Sequence, residues 1–368
     1  MNIRHIGIIV CALAIAVPAR AQDPDIAATV REAIQSTREA VRAAVREATR
    51  ETTREIGRAW AGESHGAYQG RGGPEQTERF SRTVKLGPNG SVSVSNIAGD
   101  IVVNAGRGDD VSIEAVKRTR GDRAELGRVE INVTDRAGRV DISTNHFGRH
   151  DQVSVSYTIT VPASASLEAR SVSGNIRVTG VQGSVRAETV SGNVTTASTP
   201  RLETARSVSG DVELTGAATD GDLSANSVSG SVRANGLKAR GLQVGSISGN
   251  IVVTDVTCER LAAKSVSGDI EFSGALSRGG RYEATSHSGD VRMTLAGGTG
   301  FELNASTFSG EIRSDVPLTM GGGSRRDSGT GRELRRHGMG QQIRANYGDG
   351  SAELTLNTFS GDIVIAKK

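Results

Sequence analysis

A tetrad of Ser or Thr, any residue, Ser and Gly recurs about every nineteen residues, and no other feature of the chain limits its fold so tightly. The tetrads end at Gly174, Gly192, Gly210, Gly230, Gly249, Gly268, Gly289 and Gly310, with a ninth at Gly361. Each is followed by Asn, Asp, Ser or Glu, and then by Ile or Val at every repeat. Apolar residues alternate on both sides of the glycine, as in Leu261-Ala262-Ala263-Lys264 and Ile270-Glu271-Phe272. That period of two predicts a pair of short strands meeting at a corner. Glycine supplies a positive φ if the corner needs one, and Asn or Asp bonds its own backbone in tight turns. One such unit cannot bury its apolar side alone, so neighbours must stack into a continuous core. The predicted fold is all-β, a parallel single-stranded β-helix (a β-solenoid) of about nineteen residues per coil, and a spacing of ~4.8 Å makes eight or nine coils a rod of roughly 40 Å. A β-sandwich also spaces its strands closely, but it does not demand the same corner nine times.

Composition agrees with a thin core. Aromatic residues are only 3% of the chain while glycines number 47, so Val, Ile, Leu and Ala must fill the interior. The N-terminus carries Arg4 and His5, an apolar run from Ile6 to Val17 and Ala19-Arg20-Ala21, the order of a secretory signal peptide cut after Ala21. The run is shorter than the ~20 residues a membrane span needs, and no later run is longer, so no transmembrane span is expected in the mature chain. Cleavage leaves Cys258 without an intramolecular disulfide partner. The net charge of +3, with Lys and Arg spread along the chain, offers no case for nucleic acid.

Seven segments follow from these signals. Residues 1–21 are the leader and 22–62 an Arg/Glu/Ala-rich amphipathic α-helix opening at Asp23-Pro24-Asp25, with Ile26, Val30, Ile34, Val41, Val45, Ile56 and Trp60 on one face. Its arginine column suits a solvated face, self-association through residues 23–62 or an anionic surface. Residues 63–79 are a Gly-rich linker, 80–161 an N-terminal β region and 162–316 the regular repeats. A Gly/Arg-rich loop spans 317–341, and a C-terminal β coil occupies 342–368.

The repeat resembles the S-G-[DN]-[IV]-x-[VI] units of the bacterial putative adhesin family of unknown function. The similarity runs from about residue 80 to 368 and includes Ser95-Asn96-Ile97-Ala98-Gly99-Asp100-Ile101 and Thr358-Phe359-Ser360-Gly361-Asp362-Ile363. The resemblance implies a β-helical envelope or surface protein without a known activity.

Candidate sites are few. The inward Ser/Thr column from Ser171 to Thr307 reads as structural, and no catalytic or cofactor-binding residue is assigned. Outward Glu213 and Glu271 are placed to meet Arg233 and Arg292 on adjacent coils. Asp269, Asp290 and Glu311 fall in one register on consecutive coils, about 5 Å apart, and form a candidate weak site for a divalent cation such as calcium. Arg325, Arg326, Arg332, Arg335 and Arg336 are candidates for an anionic ligand such as lipopolysaccharide phosphate or a teichoic-type polymer. The expected function is that of a non-enzymatic, exported scaffold, periplasmic or at the cell surface, whose partner is an envelope protein or polysaccharide. Two alternatives stand beside it: a β-helix enzyme acting on acidic polysaccharide, and a self-assembling envelope scaffold.

Overall fold

Two strands flank each corner glycine, one on either wall of a flattened rod. The structure is a computed structural model that describes residues 75–87, 89–147, 153–320 and 340–368. The predicted leader, the helix, most of the linker and the five candidate arginines lie outside the described residues. Strands such as Ser166–Ser173 and Ile176–Thr179 belong to different walls, one sheet having 14 strands and the other 13. Repeat pairs with repeat in parallel, residue for residue: Ser184–Ser191 runs beside Ser166–Ser173, and Val194–Ala197 beside Ile176–Thr179. Among the described residues no helix is long and apolar enough to cross a membrane.

The alternation in sequence becomes the wall of the core. Ile176, Val178, Val185, Ala187, Val194, Leu202 and Ala205 are fully buried, and the same inward positions continue along the rod. Toward the C-terminal end the small residues give way to Phe272, Tyr282, Met293 and Phe301, all within 1% of complete burial. The Tyr282 hydroxyl donates to the Cys258 carbonyl at 2.6 Å and accepts from the Ser277 N–H at 2.8 Å, so the buried ring keeps its polar end satisfied. Burial pushes the Cys258 thiol up to about 12, which leaves it protonated and without nucleophilic character at ordinary pH.

Every tetrad corner is built the same way. The glycines have φ between +142° and +158°, and a Cβ on any of them would collide with the carbonyl oxygen of the next corner glycine in the stack. The inward hydroxyl three residues before each corner glycine caps that same carbonyl: Ser207 donates to Gly192 O at 2.8 Å, Ser227 to Gly210 O at 2.8 Å and Ser246 to Gly230 O at 2.9 Å. Ser171 and Ser265 are the exceptions, their hydroxyls buried without a partner among the described residues. Ser227→Ala is therefore expected to cost about 1 kcal/mol while Ser265→Ala is neutral. Urea melts of the two variants separate these outcomes.

The opposite corner absorbs the uneven intervals. Thr179 is followed by a strand at Ser184, Thr215 by one at Asp222 and Asn235 by one at Lys238. Loops of different length fit there because they point away from the fixed glycine column.

At both ends the coils leave chain order. The coil of Ala352–Ser360 and Ile363–Lys367 lies between the coil of Arg281–Ser288 and Val291–Ala296 and the coil of Phe301–Ser309 and Ile312–Ser314. At the other end, Ser91–Ala98 and Ile101–Gly106 lie between the first regular coil and the coil of Arg139–His146 and Ser154–Pro162. Each inserted segment is hydrogen-bonded on both sides. The outermost coils are closed by antiparallel strands, Gln341–Tyr347 at one end and Gln76–Lys85, Asp110–Thr119 and Val129–Arg136 at the other.

This arrangement revises four sequence expectations. Residues 76–79 belong to a strand and not to the linker. The N-terminal β region contains a short 3-10 helix, Arg123–Arg128, capped by Asp122. Residues 342–368 hold an antiparallel closing strand as well as a coil. Asp290 and Glu311, expected on consecutive coils, are separated by the inserted coil that carries Asp362.

Candidate functional site

The corner edge carries three parallel columns, and two of them are consumed by the frame. The hydroxyl column caps the glycine carbonyls, as described. The Asn/Asp column links coil to coil: the Asn193 N–H donates to Asn175 Oδ1 at 2.9 Å, Asp211 N–H to Asn193 Oδ1 at 2.8 Å and Ser231 N–H to Asp211 Oδ1 at 2.8 Å. A side chain that accepts this way satisfies a backbone donor that the turn would otherwise leave open.

The predicted cation site dissolves in the same ladder. Asp290 and Glu311 are not on neighbouring coils, because Asp362 stands between them. The Asp290 N–H donates to Asp269 Oδ1 at 2.9 Å, Asp362 N–H to Asp290 Oδ1 at 2.8 Å and Glu311 N–H to Asp362 Oδ1 at 2.9 Å. Glu311 also accepts from Arg313 at 2.6 Å, a contact that raises the guanidinium above its ordinary value. Among the described residues no group of three or more His, Cys, Asp or Glu is placed to hold a metal ion. The carboxylates of Asp269 and Asp290 are thus spent on splicing coils together, and that of Glu311 on Arg313 within its own coil. The expected cross-strand register of Glu213 with Arg233 is present, but Arg233 turns to Asp211 at 3.2 Å.

The third column is different. The residue between the two serines of each tetrad points outward, yet it is apolar along almost the whole rod. In spatial order the column reads Ile97, Val172, Val190, Val208, Val228, Ile247, Val266, His287, Phe359 and Phe308. Ile97, Val172, Val190 and Val208 are 40–51% exposed, Phe359 41% and Phe308 56%. Single exposed apolar residues need no explanation, but a continuous outward row does. Its borders are polar: Ser173, Ser191, Ser209 and their equivalents on the corner side, and Arg170, Glu188 and Arg206 on the other.

The row ends in an aromatic stack. His287 and Phe359 lie 5.0 Å apart at 19°, and Phe359 and Phe308 4.8 Å apart at 5°. The spacing is that of neighbouring strands, so inserting the Gly361 coil is what brings the two phenylalanines together. The next strand passes Phe308 with Gly340, where a Cβ would lie 2.8 Å from the Phe308 Cα. Among the described residues no side chain continues the stack beyond Phe308. Of the aromatics in the repeats, Phe272, Tyr282 and Phe301 went to the core, and Phe308 and Phe359 to this ridge.

A rod of parallel coils with uniform glycine corners and an outward ridge is the form of a β-solenoid scaffold. The chain matches the sequence profile of the Toastrack family, DUF4097, over residues 89–366, and it belongs to that family. A comparison with curated proteins found no match. Among solved structures, the chain is similar to a putative cell adhesion protein from Clostridium sporogenes, at 11% identity and a TM-score of 0.24, over 80% of this chain and 100% of that one. It is also similar to a putative adhesin from Bacteroides fragilis, at 13% identity and a TM-score of 0.41, over 78% and 97%. A third, a putative lipid binding protein from Parabacteroides distasonis, has 15% identity and a TM-score of 0.40 over 59% and 89%.

Proposed function

We propose that the chain is a non-enzymatic scaffold, exported to the periplasm or cell surface, that holds an envelope or surface partner along the outward ridge from Ile97 to Phe308. The observation that carries this reading is the exposure of Ile97, Val172, Val190 and Val208 at one end of that row and of Phe359 and Phe308 at the other, joined by half-buried Val228, Ile247, Val266 and His287, since apolar residues in register on a solvated face have no role in the core. A binding role is favoured over a catalytic one by how the polar groups are used. The tetrad hydroxyls that are bonded donate to glycine carbonyls, the corner carboxylates accept backbone N–H groups, and the thiol is buried and protonated. Export accords with the leader read from residues 1–21. Self-assembly through bare rod ends is disfavoured by the antiparallel closing strands and by the short edge strands Ile312–Ser314 and Thr319–Met320.

The test uses the mature chain and a variant carrying Val172→Thr, Val190→Thr and Val208→Thr, which keeps β-branched shape and removes apolar surface. Co-sedimentation with isolated bacterial envelopes is expected to weaken by roughly tenfold in the variant. Equal retention of the two proteins, with equal melting temperatures, would remove the ridge as the contact surface.

A further inference from the structure

The ridge does not present one chemistry along its length, and its aromatic end is the most defined part. There, His287, Phe359 and Phe308 form a stepped apolar band one residue wide, and among the described residues no side chain continues it beyond Phe308. Polar groups border the band on both sides. Ser288, Ser360 and Ser309 are exposed on the corner side. Thr285, Asn357 and Ser306 stand on the other, with the Ser306 hydroxyl donating to Asn357 Oδ1 at 2.7 Å. His287 Nδ1 is without a partner among the described residues.

Taking the ridge as the contact surface, we propose that its Phe308–Phe359–His287 end is a docking site for an extended, uncharged glycan. A sugar ring is apolar on its C–H faces and polar at its hydroxyl edges, and a chain of such rings laid along the rod matches a narrow apolar band between two hydroxyl and amide rows. The stacked rings take apolar C–H groups by excluding water and by dispersion contact. The band is too narrow for the apolar centre of a protein interface, which normally covers ~800 Å² per partner. A lipid surface needs a broad apolar face, and here polar rows begin at the next residue on each side. Charge selects among glycans. The corner column beside the stack carries Asp269, Asp290, Asp362 and Glu311; among the described residues Arg292 and Arg313 stand two positions after Asp290 and Glu311, Arg313 is paired to Glu311, and the acidic groups of the column stay in excess. Like charges repel an anionic polymer at this range. The ridge then continues through Val266 and Ile247, so a longer chain meets further apolar positions at the coil spacing of ~4.8 Å.

The experiment titrates the full chain with cellohexaose and chitohexaose as uncharged probes, an oligogalacturonate as the anionic probe, and neutral phospholipid vesicles, by calorimetry and by NMR of the ring signals. Saturable binding of an uncharged hexamer is expected, with weaker or no binding of the oligogalacturonate and vesicles. Phe308→Ala with Phe359→Ala should weaken it by roughly tenfold or more, as the loss of two ring contacts implies. If that pair fails to fold, Phe308→Leu with Phe359→Leu keeps the apolar volume, removes the flat ring and is expected to weaken binding as well. Absence of binding by both hexamers, unchanged affinity in a folded double variant, or tighter binding of the oligogalacturonate or vesicles would overturn the proposal. The valine variant keeps the two readings apart: envelope retention lost there, with no hexamer bound by the parent chain, leaves the ridge as a contact surface and removes the glycan.

Discussion

Gly210→Ala is expected to abolish cooperative folding of the rod, or to cost more than ~4 kcal/mol where a folded state survives, a range reserved for steric and backbone failures of this kind. Gly210 has φ +151°, which side-chain-bearing residues rarely adopt, and an added Cβ would occupy the position of the Gly192 carbonyl oxygen. Neither problem can relax alone. The Gly192 oxygen is fixed by the Ser207 hydroxyl at 2.8 Å, and the Gly210 N–H is bonded to the Ser229 carbonyl at 3.0 Å, so a shift at one corner strains its neighbours. Gly236→Ala is the internal control. Its φ of +62° is also left-handed, but nothing lies within 4 Å of the added carbon. About 1–2 kcal/mol is expected there. Chemical denaturation of the two variants checks the contrast, and equal losses would place the corner column's importance elsewhere.

A second large effect is expected from removing residues 341–368. If the coils followed chain order, this cut would take away a terminal coil and leave the Gly289 and Gly310 coils paired. In the structure Phe301–Ser309 pairs only with Gln341–Tyr347 and Ala352–Ser360, and Ile312–Ser314 only with Ile363–Lys367. The truncated chain loses both neighbours of residues 301–314 and uncovers Phe301 and Leu303, which are at most 1% exposed in the intact rod. It also leaves the Gly289 coil with an open parallel edge, a template for pairing between chains. Amide exchange is expected to show residues 301–314 unprotected, and sedimentation to show self-association. Retained protection at Leu303 and Ala305 in a monomeric truncated chain would contradict the inserted order.

How much of this was readable in the sequence follows from what a repeat can encode. The nine tetrads fixed the corners, the walls and the parallel register, because alternation and glycine spacing act locally. The identity of neighbours is not local. The Gly361 coil presents the same inward residues and the same Asp-Ile step as any other, so it fits beside Gly289 as well as beside Gly310. Only the long gap between Gly310 and Gly361 hinted at a return path. The carboxylate register of Asp290 and Glu311 was misplaced by one coil for that reason. The ridge lay in plain sight, since the residue between the two serines is Val, Ile, Phe or His in each tetrad, and alternation already turned it outward. Its signal is missed when the whole tetrad is read as a turn. The aromatic stack was hidden more deeply, because Phe308 and Phe359 become neighbours only through the inserted coil.

Insertion of the C-terminal coil is the feature on which the stack, the ridge's end and the fate of the acidic column all depend, and one cross-linking measurement tests it directly. Ser288 and Ser360 are register partners on adjacent strands, as are Ser360 and Ser309. Adjacent strands place Cα atoms ~4.8 Å apart, within disulfide reach, whereas two steps exceed the ~7 Å limit. Cys258 is buried and protonated and does not compete. Under mild oxidation Ser288→Cys with Ser360→Cys should cross-link in high yield, and Ser288→Cys with Ser309→Cys should not. The reverse pattern would show the coils stacked in chain order and contradict the account.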